Sequence, residues 1–205
     1  MTEGVVSRFD FAFSECPVVA IIRGVEPSNV IEVGSALFDA GVRIIEVPLN
    51  SPNPFESIEK LKQHFNDRAI IGAGTVLNRD EVAAVAKVGG EICVSPNVNK
   101  DVIEATLSAG MISMPGVYTA TEAFTAIAAG ARMLKLFPAT AEARENFNAM
   151  KAVLPDEIGV LAVGGVSYEN VAECLQLGFA GIGVGSEFYK PGRSADEIRE
   201  RLSGV

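Results

Sequence analysis

Residues 159–186 read GVLAVGGVSYENVAECLQLGFAGIGVGS. GVLAVGG (159–165) is a short apolar run closed by two glycines, the pattern of a strand covered on both faces. SYENVAECLQLG (167–178) is helix-like and ends at a glycine stop. AGIGVGS (180–186) is a second apolar run ending in a glycine turn. Strand, helix and strand follow one another within 28 residues, the spacing of a parallel βαβ unit.

The same alternation extends outward through the chain. PVVAIIRG (17–24) precedes PSNVIEVGSALFDAG (27–41), and RIIEVPL (43–49) precedes PFESIEKLKQHF (54–65). AIIGAGT (69–75) leads to EVAAVAKVG (81–89), and EICVSP (91–96) to KDVIEATLSAG (100–110). MISMPG (111–116) leads to TATEAFTAIAAG (119–130), with Thr121 the expected cap, and RMLKLFP (132–138) to ENFNAMKAVLP (145–155). AGIGVGS is itself followed by SADEIRERL (194–202). Eight strand–helix units with no linker predict one α/β domain over 1–205. Such a series allows a closed (β/α)8 TIM barrel or an open doubly wound sheet. The open sheet usually carries a phosphate loop after its first strand, but here that strand ends in IIRGVEP. Nearly every strand ends in a small polar turn, as barrel mouths require, so the closed barrel is expected. The residues before Cys16, with Phe9, Phe11 and Phe13, predict a short N-terminal helix plugging its bottom.

Composition narrows the function. Seventeen Lys and Arg stand against 26 Asp and Glu, a net charge of -9, which disfavours nucleic acid and anionic membranes as partners. No apolar run reaches the length of a membrane span, and the N-terminal stretch does not read as a signal peptide. Cys16, Cys93 and Cys174 form no CxxC pair; they read as buried small hydrophobes in a reducing cytoplasm. His64 is the only histidine and falls in a polar helix end, so no metal site is expected.

At the predicted strand ends the ionisable residues are Arg23, Glu46 and Lys135. Lys135 lies in MLKLFP, whereas the other six lysines occupy polar or helical-surface contexts. Burial lowers a lysine's pKa and frees a neutral amine for attack on a ketone. Glu46, in IIEVPL, is a buried carboxyl suited to moving protons near neutral pH. Arg23 suits a substrate carboxylate. Salt bridges among these three are the alternative. The turns VGGV (163–166) and GVGS (183–186) close strands seven and eight, where barrels bind phosphate through backbone N–H groups and a helix N-terminus.

With these residues in place, the chain resembles the 2-keto-3-deoxy-6-phosphogluconate / 4-hydroxy-2-oxoglutarate aldolase family from about Pro17 to Tyr189. AIIRG (20–24), IEVPLNSP (45–52), IGAGTVL (71–77), ATEAFTA (120–126), LKLFPA (134–139), KAVLP (151–155) and AVGGV (162–166) carry the resemblance, and they are most similar to its 2-dehydro-3-deoxy-6-phosphogalactonate branch. The resemblance implies a cytoplasmic, commonly trimeric lyase of (β/α)8 fold needing no cofactor or metal, acting on a phosphorylated 2-keto-3-deoxy sugar acid. It makes Lys135 the Schiff-base lysine and Glu46 the general acid/base. Thr75 and Pro96 match the pyruvyl pocket, and Gly164, Gly165, Gly185 and Ser186 fall on the phosphate turns. Asn50 and Val163 stand where the gluconate branch has arginine and threonine, and Arg23 matches the galactonate branch. Residues 139–150 lack the glycine that usually follows strand six. The rival readings are a sibling aldolase for the gluconate epimer or hydroxyoxoglutarate, a phosphate-binding barrel isomerase or decarboxylase, and a non-catalytic phosphosugar binder.

Overall fold

The computed structural model describes residues 2–202. It opens with α1 (Thr2–Glu15), then β1 (Val18–Ile21), α2 (Val30–Asp39), β2 (Ile44–Pro48), α3 (Pro54–Phe65), β3 (Ile70–Gly74), α4 (Arg79–Lys87), β4 (Ile92–Val94) and α5 (Lys100–Ser108). β5 (Ile112–Met114), β6 (Gly116–Val117), α6 (Ala120–Ala128), β7 (Met133–Leu136), α7 (Ala141–Lys151), β8 (Gly159–Val163), α8 (Val171–Gln176), β9 (Gly181–Val184) and α9 (Ala195–Leu202) complete it.

All nine strands pair in parallel, in the order β5-β4-β3-β2-β1-β9-β8-β7-β6. The two ends of that order, β5 and β6, are separated along the chain by Pro115 alone. The sheet therefore curls into a nearly closed barrel. Eight strands were expected from the sequence; the fifth apolar run is instead broken in two. Proline has no N–H to donate, so the run pairs with β4 before Pro115 and with β7 after it. The Pro115 carbonyl still accepts from Lys135 N at 2.9 Å.

Successive strand residues face opposite sides, and two cores result. Val19, Ile21, Ile44, Ile70, Ile92, Val94, Met114, Leu161 and Val163 fill the inside of the sheet. Val18, Ala20, Ile45, Val47, Ile71, Leu134, Leu136, Ala162 and Val184 face outward under the helices. Both faces are covered, which explains the unbroken apolar runs.

The N-terminal helix, 14 residues long, contributes Phe9 and Ala12 to the inner core, with Phe13 packed alongside. The Phe9 and Phe13 rings stack at 5.4 Å. Phe11 departs from the expectation: it is 68% exposed, because position 11 falls on the opposite helix face from 9 and 13. Buried Glu91 anchors the helix by pairing with Arg8 and with Lys62, the latter at 3.1 Å. Thr119, not Thr121, caps α6, accepting from Glu122 N while Glu122 reaches back to the cap. The seventh helix-like segment begins as a 3-10 turn over Tyr168–Asn170 before α8. Cys93 and Cys174 are buried as expected, whereas Cys16 is only partly so. His64 is exposed at the end of α3. No helix among the described residues is long and apolar enough to cross a membrane.

Candidate active site

Strand phase sets the centre of the site. On β7, Leu134 and Leu136 point outward, so Lys135 points into the barrel between Gly116 of β6 and Leu161 of β8. It is 7% exposed, and its Nζ stands 4.6 Å from the centroid of the Phe137 ring. Burial pulls its pKa below the ordinary lysine value; the Glu46 carboxylate opposes that shift and Arg23 adds to it. The amine is thus biased toward its neutral, nucleophilic form.

Glu46 occupies the inward phase of β2, two residues after Ile44, and is 2% exposed. Burial raises its pKa to about 7, against the lowering influence of Lys135 and Arg23. Its Oε2 is buried without a hydrogen-bond partner. Gly74, at the end of β3, makes the position possible, since any Cβ there would overlap the Glu46 carboxyl. Among the described residues no ion pair within 4.0 Å joins Glu46 to Lys135 or to Arg23. The salt-bridge alternative is therefore not formed, and both groups keep capacity for a substrate.

Arg23 follows β1 at the exposed rim. One of its Nη atoms donates to Asn50 Oδ1 and the other lies 3.5 Å from Thr75 Oγ1. Three strand ends are thereby joined. Thr75 has φ 57°, a left-handed conformation unusual for a β-branched residue. Such local strain persists where the surroundings enforce it. Here Val76 N donates to Val94 O at 3.2 Å, and buried Ser95 donates through Oγ to Val76 O at 2.8 Å. Pro96 follows directly, and its carbonyl packs so closely on Gly116 that a Cβ there would collide with it.

Gly164 and Gly165 both have φ near 80°, a region that side chains disfavour. The Phe137 ring lies against Gly164, linking this turn to the Lys135 strand. The Gly165 and Val166 amides donate to no acceptor among the described residues. At the start of the following helical segment Ser167 N donates to Asn170 Oδ1 at 3.1 Å and Tyr168 N to Glu187 Oε2 at 2.7 Å. Those donors are satisfied internally, which leaves the Gly165 and Val166 amides free. At the neighbouring turn the Gly185 carbonyl accepts from Phe188 N and Tyr189 N, both at 3.0 Å. Ser186 is exposed, and its carbonyl accepts from Arg193 at 3.3 Å.

The structure gathers every residue singled out from the sequence at the C-terminal ends of the strands. It adds Phe137 beside the lysine and shows Asn50 as the partner of Arg23. The Phe137 signal was present as the aromatic two positions beyond Lys135; the Asn50 contact bridges 27 residues and has no local signature.

Fold and site together define a class, the β/α-barrel aldolases. The chain belongs to the KDPG and KHG aldolase family, whose model matches residues 10–200. It is 43% identical over 190 residues to the 2-dehydro-3-deoxy-6-phosphogalactonate aldolase of Escherichia coli K12, covering 93% of each chain. Its fold superposes on the native KDPGal structure with TM-score 0.89 at 43% identity, covering 92% of each chain. A KDPG aldolase from Legionella pneumophila, with pyruvate captured at low pH as a covalent carbinolamine, matches at 27% identity and TM-score 0.83 over 95% of this chain and 96% of that one.

Proposed function

We propose that this chain is a class I aldolase that cleaves 2-dehydro-3-deoxy-6-phosphogalactonate to pyruvate and D-glyceraldehyde 3-phosphate through a Schiff base on Lys135. The observation that carries this reading is the pairing of a buried amine, held by no carboxylate, with a buried carboxyl whose pKa is about 7. The galactonate epimer is favoured by the 43% identical relative of that name and by the Arg23–Asn50 pair at the rim.

In this mechanism neutral Lys135 Nζ attacks carbon 2 of the keto acid, giving a carbinolamine. Uptake of one proton from solvent and loss of water leave a protonated imine, an electron sink. Glu46, as carboxylate, accepts the proton of the carbon-4 hydroxyl, directly or through a water. The carbon 3–carbon 4 bond breaks, its electron pair passes into the imine as an enamine, and the aldehyde departs. Glu46 then returns the proton to carbon 3, and water releases pyruvate and the amine. A carboxyl near neutral pH suits both halves of this exchange. Arg23, Thr75 and Pro96 surround the keto-acid end, while Gly164, Gly165, Gly185 and Ser186 face the phosphate. We read the chain as one domain of eight βα units, the fifth strand being broken at Pro115, and as a trimer in solution like others of its family. The residues named call for no metal or cofactor.

The test measures pyruvate release from the galactonate-type and gluconate-type phosphorylated acids side by side, with chelator present. Faster cleavage of the galactonate epimer is expected. Faster cleavage of the gluconate epimer would overturn the epimer assignment alone. Borohydride in the presence of pyruvate should modify Lys135 irreversibly; an unmodified lysine would overturn the mechanism.

A further inference from the structure

Among the described residues Arg144 is the only buried arginine, 7% exposed near the start of α7. An arginine on a polar surface helix ordinarily extends into water. This one lies beneath three segments. Its Nη1 donates to Ala139 O at 2.9 Å and to Gly165 O at 3.3 Å, and its Nη2 stands 3.5 Å from Glu173 Oε1 on α8. Its Nε is buried without a partner. Burying a guanidinium costs desolvation that two carbonyls and one half-exposed carboxylate only partly offset.

The contacts have a directional consequence. A peptide unit is planar and trans, so holding the Gly165 carbonyl toward Arg144 turns the Val166 N–H to the opposite side. That amide is one of the two unpaired donors of the turn. Two consecutive glycines supply no side chain to hold such a turn in shape, so the restraint comes from outside. Arg144 provides it and ties the turn to Ala139, whose own N–H donates to Val163 O at 2.9 Å. Ala139 lies four residues beyond Lys135 on the same chain segment.

We propose that Arg144 is a positioning residue. It braces the Gly164–Gly165 turn against the Lys135 strand end, so that the turn's amides meet the substrate phosphate at a set distance from the reacting carbon. The proposal rests on reading that turn as the phosphate seat.

The experiment compares kcat and KM for the phosphorylated sugar acid and its dephosphorylated analogue in wild type, Arg144→Met, Arg144→Lys and Glu173→Gln. Exchange of pyruvate methyl protons with solvent, which needs the lysine but no phosphate, is followed in parallel. Arg144→Met should reduce the preference for the phosphorylated acid by on the order of tenfold, through KM, the scale of one charged hydrogen bond. Proton exchange should stay at the wild-type rate. Arg144→Lys should recover part of the preference, and Glu173→Gln should retain it. An Arg144→Met enzyme with undiminished preference, or one impaired equally on all three reactions, would overturn the proposal. If the methionine variant does not fold, Arg144→Lys decides by the same criterion. A wild-type enzyme with no preference for phosphate would overturn the phosphate-seat reading itself, and the brace with it.

Discussion

Glu46 couples catalysis to stability. Its pKa rises from an ordinary 4.5 to about 7 because the folded protein buries the carboxyl. The folded state therefore holds this proton more tightly than the unfolded chain. The associated stability is fully present below about pH 4.5 and is lost as the pH climbs through about 7, by roughly 3 kcal/mol in all. Urea unfolding from pH 4.5 to 8 should show this decline in wild type, superimposed on other titrations, and the difference from Glu46→Gln should isolate it. Catalysis has the opposite sign. The carboxylate is the form that takes the hydroxyl proton, so kcat/KM should rise with pH through about 7. Glu46→Gln should lower kcat by a hundredfold or more, on the order expected for general acid–base catalysis, while pyruvate can still be trapped on Lys135. A variant that turned over normally would remove Glu46 from the mechanism.

Single elements position these groups through close approach and capping. Gly74 closes β3 beneath the Glu46 carboxyl, with no room for a methyl group. Gly74→Ala should displace the carboxyl and reduce kcat at least tenfold, by the same acid–base argument, with far-ultraviolet circular dichroism unchanged. The α6 cap provides a control without active-site involvement. Thr119→Ala should cost about 1 kcal/mol in urea titrations, and Thr121→Ala, which removes no cap, much less. Equal effects would contradict the observed capping box. Among the aromatics of α1, Phe9→Ala should cost about 3–5 kcal/mol as a buried large-to-small change. Phe11→Ala should cost little, since its ring is mostly in water.

At the scale of the whole molecule, the curled sheet brings all the strand ends to one mouth. Arg23, Glu46, Thr75, Pro96 and Lys135 lie up to 112 residues apart in sequence yet share that rim. Reading the chain as one domain predicts a single unfolding transition in urea, with circular dichroism and loss of borohydride trapping coincident. Two separated transitions would argue for independently folding parts. Much of this plan was legible beforehand, because strand burial and helical spacing are local patterns. An amine or carboxyl interrupting an apolar run was therefore visible at Lys135 and Glu46. Long-range contacts left no such mark. Nothing in the local pattern of AEAREN (141–146) announces that Arg144 will be buried, and nothing in GVGS separates a helical turn from an open anion seat.

The sequence by itself determined the alternation of strands and helices, the interruption of apolar runs by Lys135 and Glu46, and the glycine turns at the strand ends. Each follows from period, propensity or side-chain size over a few residues. Tertiary structure alone decided the break at Pro115, the left-handed backbone of Thr75, the Arg23–Asn50 contact and the brace at Arg144. These depend on how the sheet curls and which loops then meet, a geometry set by packing across the whole barrel.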